Sequence, residues 1–204
     1  MIAIIDYGVG NIKAFANIYK NLDIPFKVAK SVEDLTDVTK IILPGVGSFD
    51  HAMQSLHNSG MKEKLDELVL ERKLPVLGIC VGLQMLAKSS DEGELEGLGW
   101  LDAHVKKFDL SKLTAKTPLP HMGWNNINIV QDNALLQNLD RDARFYFLHS
   151  YFIEGENEDM IAATSTYSET FTSMVHQGNI YGIQPHPEKS HQNGITLLKN
   201  FGEL

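Results

Sequence analysis

Residues 74–84 read Leu-Pro-Val-Leu-Gly-Ile-Cys-Val-Gly-Leu-Gln, an apolar run ending in Gly-x-Cys-x-Gly, with helical spacing over residues 83–88. A strand that turns this sharply into a helix can hold one side chain up at the bend, the arrangement of a nucleophile elbow. Gly78 and Gly82 leave the room such a bend needs, because neither carries a Cβ. The N–H groups of the new helix point at the sulfur and favour thiolate over thiol. Cys80 is the only cysteine in the chain. A lone cysteine is ordinarily a small buried hydrophobe; the flanking glycines favour the nucleophile.

The rest of the chain supplies a frame for that turn. Residues 2–6, 26–29, 40–43 and 75–79 are strand-like, and helical spacing separates them over residues 11–22, 48–59 and 61–73. Asn11 can cap the first helix. Strands that alternate with helices predict an open, mainly parallel central sheet flanked by helices, an α/β fold. From residue 101 the pattern changes. Residues 101–108, 124–130, 145–153, 160–166, 170–176 and 179–184 all read as strands, which predicts an antiparallel extension, and residues 194–201 close the chain as a helix. Residues 109–120 are the expected exposed loop. No repeat or linker divides the 204 residues, so a single domain spanning 1–204 is expected.

Composition narrows the setting. One cysteine rules out an internal disulfide and suits a reducing cytoplasm. The first residues lack the basic stretch and cleavage site of a signal peptide, and no apolar run reaches the roughly 20 residues of a membrane span. A net charge of −8 argues against nucleic-acid binding. No histidine or carboxylate cluster has metal-ligand spacing, and no phosphate-binding glycine loop carries a lysine. No metal and no cofactor are expected.

A thiolate nucleophile needs a base, and the base needs an orienting group. Of eight histidines, His186 differs in its setting, Gln184-Pro-His-Pro-Glu188, just past the end of a strand. The prolines stiffen it, and Glu188 two residues on can project to the same side in an extended segment. The plainer reading, a loop histidine beside a solvated glutamate, is overtaken only when the elbow is considered with it. In open α/β sheets sites form beyond the carboxyl ends of the strands. Cys80, His186 and the turn Pro44-Gly45-Val46-Gly47 all follow strands, and the turn's backbone N–H groups are either oxyanion donors or no more than a turn.

Gly78-Ile-Cys-Val-Gly-Leu-Gln84 with His186-Pro-Glu188 resembles the class I (triad) glutamine amidotransferases. Residues 5–11, 43–49, 120–125 and 146–151 narrow the resemblance to the HisH family, the glutaminase subunits of imidazole glycerol phosphate synthase, in order along nearly the whole chain. The resemblance implies that Cys80 attacks glutamine, that His186 is its acid and base, and that Glu188 orients His186. It implies an oxyanion hole from Val46, Gly47 and Val81, and glutamine contacts from Gln84, Ser150 and Tyr151. It further implies a partner, a HisF-type cyclase subunit that consumes the ammonia in histidine biosynthesis, faced by Asn11, His121, Trp124 and Asn125. Most relatives of that family carry Phe where Pro185 stands, so one aromatic contact and one backbone donor are missing next to the base. Residues 10–19 and 189–191 are also similar to paralogues in which the ammonia amidinates a surface sugar. A non-catalytic relative, or another thiol enzyme on a similar fold, remains as a competing reading; intact Cys80, His186 and Glu188 weigh against the first, and the Pro-Gly-Val-Gly turn against the second.

Overall fold

The computed structural model describes residues 1–155 and 157–204. In chain order its elements are β1 (Ile2–Ile5), α1 (Ile12–Asn21), β2 (Phe26–Ala29), β3 (Lys40–Gly45), α2 (Phe49–Asn58), α3 (Lys62–Asp66), β4 (Val76–Cys80) and α4 (Val81–Met85). There follow β5 (Ser89–Ser90), β6 (Ala103–Lys107), β7 (His121–Asn126), β8 (Asn128–Ile129), β9 (Arg144–His149), β10 (Tyr151–Gly155), β11 (Ile161–Tyr167), β12 (Glu169–Gln177), β13 (Ile180–Ile183) and α5 (His191–Glu203).

One eight-stranded sheet organises the chain, in the order β2-β1-β3-β4-β13-β12-β11-β8. From β2 to β13 every pairing is parallel, and from β13 to β8 every pairing is antiparallel. The expected mainly parallel sheet with an antiparallel extension is therefore present as one continuous structure. The physical basis is visible in β1, β4 and β13, whose residues are all buried. Strands covered on both faces read as unbroken apolar runs rather than alternating ones. Helices α1 and α5 pack together, and the Tyr19 hydroxyl donates to the Leu198 carbonyl at 3.0 Å. Helix α2 lies on α4 and buries Phe49, Ala52, Met53 and Leu56. No helix among the described residues is long and apolar enough to cross a membrane.

Several boundaries differ from expectation, each for a physical reason. Strand β3 does not stop at Leu43 but runs through Pro44 and Gly45, pairing with Ile79 and Cys80 of β4. Its other neighbour, β1, registers with it only as far as Ile42, so a proline sits where that side of the ladder has ended. Asn11 makes no side-chain cap to α1; its ψ of 58° lies outside the extended capping geometry. The helix after Cys80 begins at once, at Val81, and is only five residues long. The strand expected over 145–153 is two strands: β9 pairs with β7, β10 pairs with β6, and Ser150 sits at the switch. The strand expected to begin at Trp124 begins at His121, because Pro120 ends the preceding loop.

Candidate active site

Strands β3, β4 and β13 are consecutive in the sheet, and their carboxyl ends place three segments side by side. Gly45 pairs with Cys80, and Ile79 pairs with Ile183. Val46 and Gly47 therefore lie on one flank of Cys80, and His186 lies on the other. Residues far apart in sequence meet because the crossover connections return neighbouring strands in parallel.

The turn at Cys80 is as sharp as its sequence suggests. Cys80 adopts φ 56° and ψ −113°, a backbone conformation that costs energy for a residue with a side chain and clusters at functional sites. The flanking glycines permit close approach: a Cβ at Gly78 would lie 2.7 Å from the Gly82 carbonyl oxygen, and one at Gly82 only 1.9 Å from that of Leu43. The bend thus locks β4, α4 and β3 together.

His186 is buried and held by its backbone. Its N–H donates to the Tyr146 carbonyl at 2.8 Å, and its carbonyl accepts from the Ser190 hydroxyl at 2.6 Å. Ser190 Oγ accepts in turn from the Tyr146 N–H. Pro185, one residue earlier, lacks a donor, and the bonds of His186 itself hold the base. The ring Nδ1 lies 3.0 Å from Glu188 Oε1, whose side chain is only 2% exposed. A carboxylate accepts, so Nδ1 carries a proton, which leaves Nε2 as the nitrogen that can serve Cys80 across the shared cavity wall. Burial opposes charge on His186, but the hydrogen bonds and attraction from Cys80 and Glu188 outweigh it and raise its pKa to about 10.

A cavity of about 320 Å³ opens over this pair. Its walls bring together the sequence candidates Val46, Gly47, Cys80, Val81, Gln84, Ser150, Tyr151 and His186. Glu188 lies behind His186. The Gln84 carboxamide is already engaged: Nε2 donates to the Tyr151 carbonyl and to Gln184 Oε1, each at 3.1 Å. Asn11 and Trp124 are exposed, whereas His121 is buried between Phe147 and Tyr167, and Asn125 turns inward to donate to the Thr166 carbonyl. Alternation along β7 separates them: Met122, Trp124 and Asn126 face solvent, and His121, Gly123 and Asn125 face in.

Four site residues escaped sequence reasoning. Gln184, fully buried, directs Nε2 at Cys80 Sγ, 3.8 Å away. His149 and Glu92 line the cavity. Glu92 Oε2 accepts from the Phe49 N–H at the start of α2; burial holds its carboxyl above the usual carboxylate range, and nearby Asp50 adds to this. The Tyr7 hydroxyl donates to the Pro44 carbonyl at 2.6 Å and anchors the strand that carries Val46 and Gly47. Of these, Glu92 follows Ser89, Ser90 and Asp91 with no local pattern, and the others look like ordinary core or strand residues.

The family model for class-I glutamine amidotransferases matches residues 3–203. The imidazole glycerol phosphate synthase subunit HisH of Bdellovibrio bacteriovorus is 55% identical over the full length of both chains, and that of Leptospira interrogans is 50% identical over the same extent. The chain belongs to the HisH family of class I glutamine amidotransferases. A HisH subunit designated 2 from Pseudomonas aeruginosa is 42% identical, again over both full lengths. Among solved structures, a glutamine amidotransferase aligns with a TM-score of 0.75 over 98% of each chain at 20% identity. PurLQS from Thermotoga maritima aligns with a TM-score of 0.71, at 16% identity, over 98% of this chain and 96% of its own. At such identities these two show the fold alone, and they place this HisH-family chain in the class I amidotransferase fold.

Proposed function

We propose that this chain is a glutaminase subunit that hydrolyses L-glutamine to L-glutamate and ammonia, with Cys80 as nucleophile. The observation that carries the reading is the convergence of Cys80, the His186–Glu188 pair and the Val46–Gly47 segment at the ends of three adjacent strands. Cys80 passes its proton to His186 Nε2, Sγ attacks the glutamine carboxamide carbon, and the C=O electrons move onto oxygen. Backbone N–H groups of Val46, Gly47 and Val81 surround that oxygen. As the tetrahedral centre collapses, His186 Nε2–H protonates the amide nitrogen, and the C–N bond breaks to release it as ammonia. The resulting thioester is attacked by water, His186 takes the water's proton, and the C–S bond breaks to release glutamate and the cysteine. Glu188 keeps a proton on His186 Nδ1 throughout, so that only Nε2 gains and loses one. Ser150 and Tyr151 form the wall for the amino-acid end of glutamine, and Gln84 supports them through the Tyr151 carbonyl. Glu92 presents a carboxylate to its ammonium.

The ammonia passes to a HisF-type cyclase, with Asn11 and Trp124 on the contacting surface and His121 and Asn125 supporting it from within. The family relationship supports this pairing, and the single cysteine suits the cytoplasm. The test is glutamate release from the two-subunit complex. Cys80→Ala should abolish glutamine-dependent turnover, a loss of at least about 10³-fold, while ammonia-dependent turnover by the cyclase persists. Continued glutamine hydrolysis by that variant sinks the mechanism. Restoration of growth without histidine supports the histidine pathway; failure points to surface-sugar amidination.

A further inference from the structure

Two buried histidines that the mechanism does not use form a hydrogen-bonded chain whose direction is fixed by chemistry. His149 Nδ1 lies 2.8 Å from the Tyr151 carbonyl oxygen. A carbonyl only accepts, so Nδ1 carries the hydrogen, and Nε2 of the neutral ring is an acceptor. That acceptor lies 2.9 Å from His121 Nδ1, which must then be the donor. His121 Nε2 is in turn an acceptor, facing Asn125 Nδ2 at 3.3 Å. The second Asn125 amide hydrogen goes to the Thr166 carbonyl at 2.9 Å. Both rings are in the Nδ1–H form, and each donates toward the cavity.

The Tyr151 carbonyl is the junction. It accepts from His149 on one side and from Gln84 Nε2 on the other. Gln84 also donates to Gln184 Oε1, and Gln184 Nε2 points at the sulfur of Cys80. A continuous polar path therefore runs from the inward face of β7, next to exposed Trp124, through the wall of the glutamine cavity to the nucleophile. His149 and His121 are buried among Phe108, Phe147 and Phe171, and His121 stacks on Tyr167 at 4.0 Å. The other titratable groups that face the pair are Tyr167 and His186. Burial keeps both rings uncharged, with pKa values lowered to about 4 for His121 and about 3 for His149. In so apolar a setting a single lost partner leaves a polar atom unpaired.

We propose that His121 and His149 are positioning residues that set the Tyr151 carbonyl, and through it the Ser150–Tyr151 wall and the Gln84–Gln184 pair, for glutamine. The claim rests on the glutaminase reading. His121→Phe keeps the stacking ring but removes the donor to His149. His121→Asn keeps a donor near the Nδ1 position and loses the stack. In the complex with the cyclase subunit, His121→Phe should raise the glutamine KM five- to tenfold, and His121→Asn should rescue most of that loss. Equal KM values for the wild type and His121→Phe, or a worse defect in His121→Asn than in His121→Phe, would overturn the proposal.

Nitrogen NMR of labelled histidine tests the chain independently of turnover. Both rings should report the Nδ1–H tautomer and stay neutral from pH 7 to 5. An Nε2–H form at either ring, or titration near pH 6.5, refutes the network. A complex that is folded with both tautomers in place yet hydrolyses no glutamine would instead refute the glutaminase reading, and with it the positioning role.

Discussion

Gly82→Ala should break the site without touching a reacting group. A Cβ at Gly82 would lie 1.9 Å from the Leu43 carbonyl oxygen, 2.9 Å from its carbon and 3.1 Å from the Pro44 carbonyl carbon. All three atoms are backbone, so no side chain can rotate away. To restore ordinary contact, α4 and β3 must separate by about 1.5 Å, a distortion in the class of overpacked cores that costs about 1–3 kcal/mol or more. The separation acts between Cys80 and the Val46–Gly47 segment, which should hold the developing oxyanion. A misplacement of about 1 Å between a nucleophile and its stabilising donors costs on the order of 10² in rate. Urea unfolding gives the first number, and glutamate release in the cyclase complex gives the second. The comparison variant is Gly60→Ala, beyond the end of α2, where φ is +70° and no atom lies within 4 Å of the new Cβ. It should lose about 1 kcal/mol from backbone strain alone and keep full activity. If Gly82→Ala unfolds like Gly60→Ala and its turnover stays within about threefold of wild type, against the misplacement cost expected, the close approach of β3 and α4 is not what aligns the site.

Glu188→Gln keeps the shape but exchanges the charge that orients His186, and should lower glutaminase kcat by about 10²–10⁴-fold; a loss under tenfold would mean that Glu188 is not the orienting group. Tyr7→Phe removes the donor to the Pro44 carbonyl and should cost about 1–2 kcal/mol in urea unfolding, with kcat falling more than KM rises; the opposite split would place Tyr7 in substrate binding. His149 should make the protein acid-sensitive. Its folded pKa of about 3 lies below the unfolded value of about 6.5, so the unfolded state takes up protons first and stability is lost as pH falls from 6.5 toward 3. Between pH 7 and pH 5 this amounts to about 2 kcal/mol, and His149→Phe should show that much less loss over the same interval. An identical pH dependence in the two proteins would show that His149 is not buried neutral.

Some of this organisation is local and therefore written in the chain. Period and turn chemistry make β1, β2, β4 and α2, and two glycines around one cysteine make the elbow, because backbone sterics act over a few residues. The parallel first half and the antiparallel second half follow from the same local patterns. His186 and Glu188 share a side because two residues of extended chain put them there. Tertiary structure decided the rest. That β13 lies beside β4, and so brings His186 to Cys80, depends on strand order, which no local pattern specifies. The extension of β3 through Pro44 depends on where β1 ends, and the break at Ser150 depends on two different partner strands. His121 and Asn125 lie in a motif whose alternation is readable, but the face of β7 that turns inward was set by Phe147, Tyr167 and Phe171. Glu92, His149 and Gln184 became site residues only when their strands and loops were packed around one cavity, since a polar side chain carries no sign in the sequence of which atom will stand opposite it.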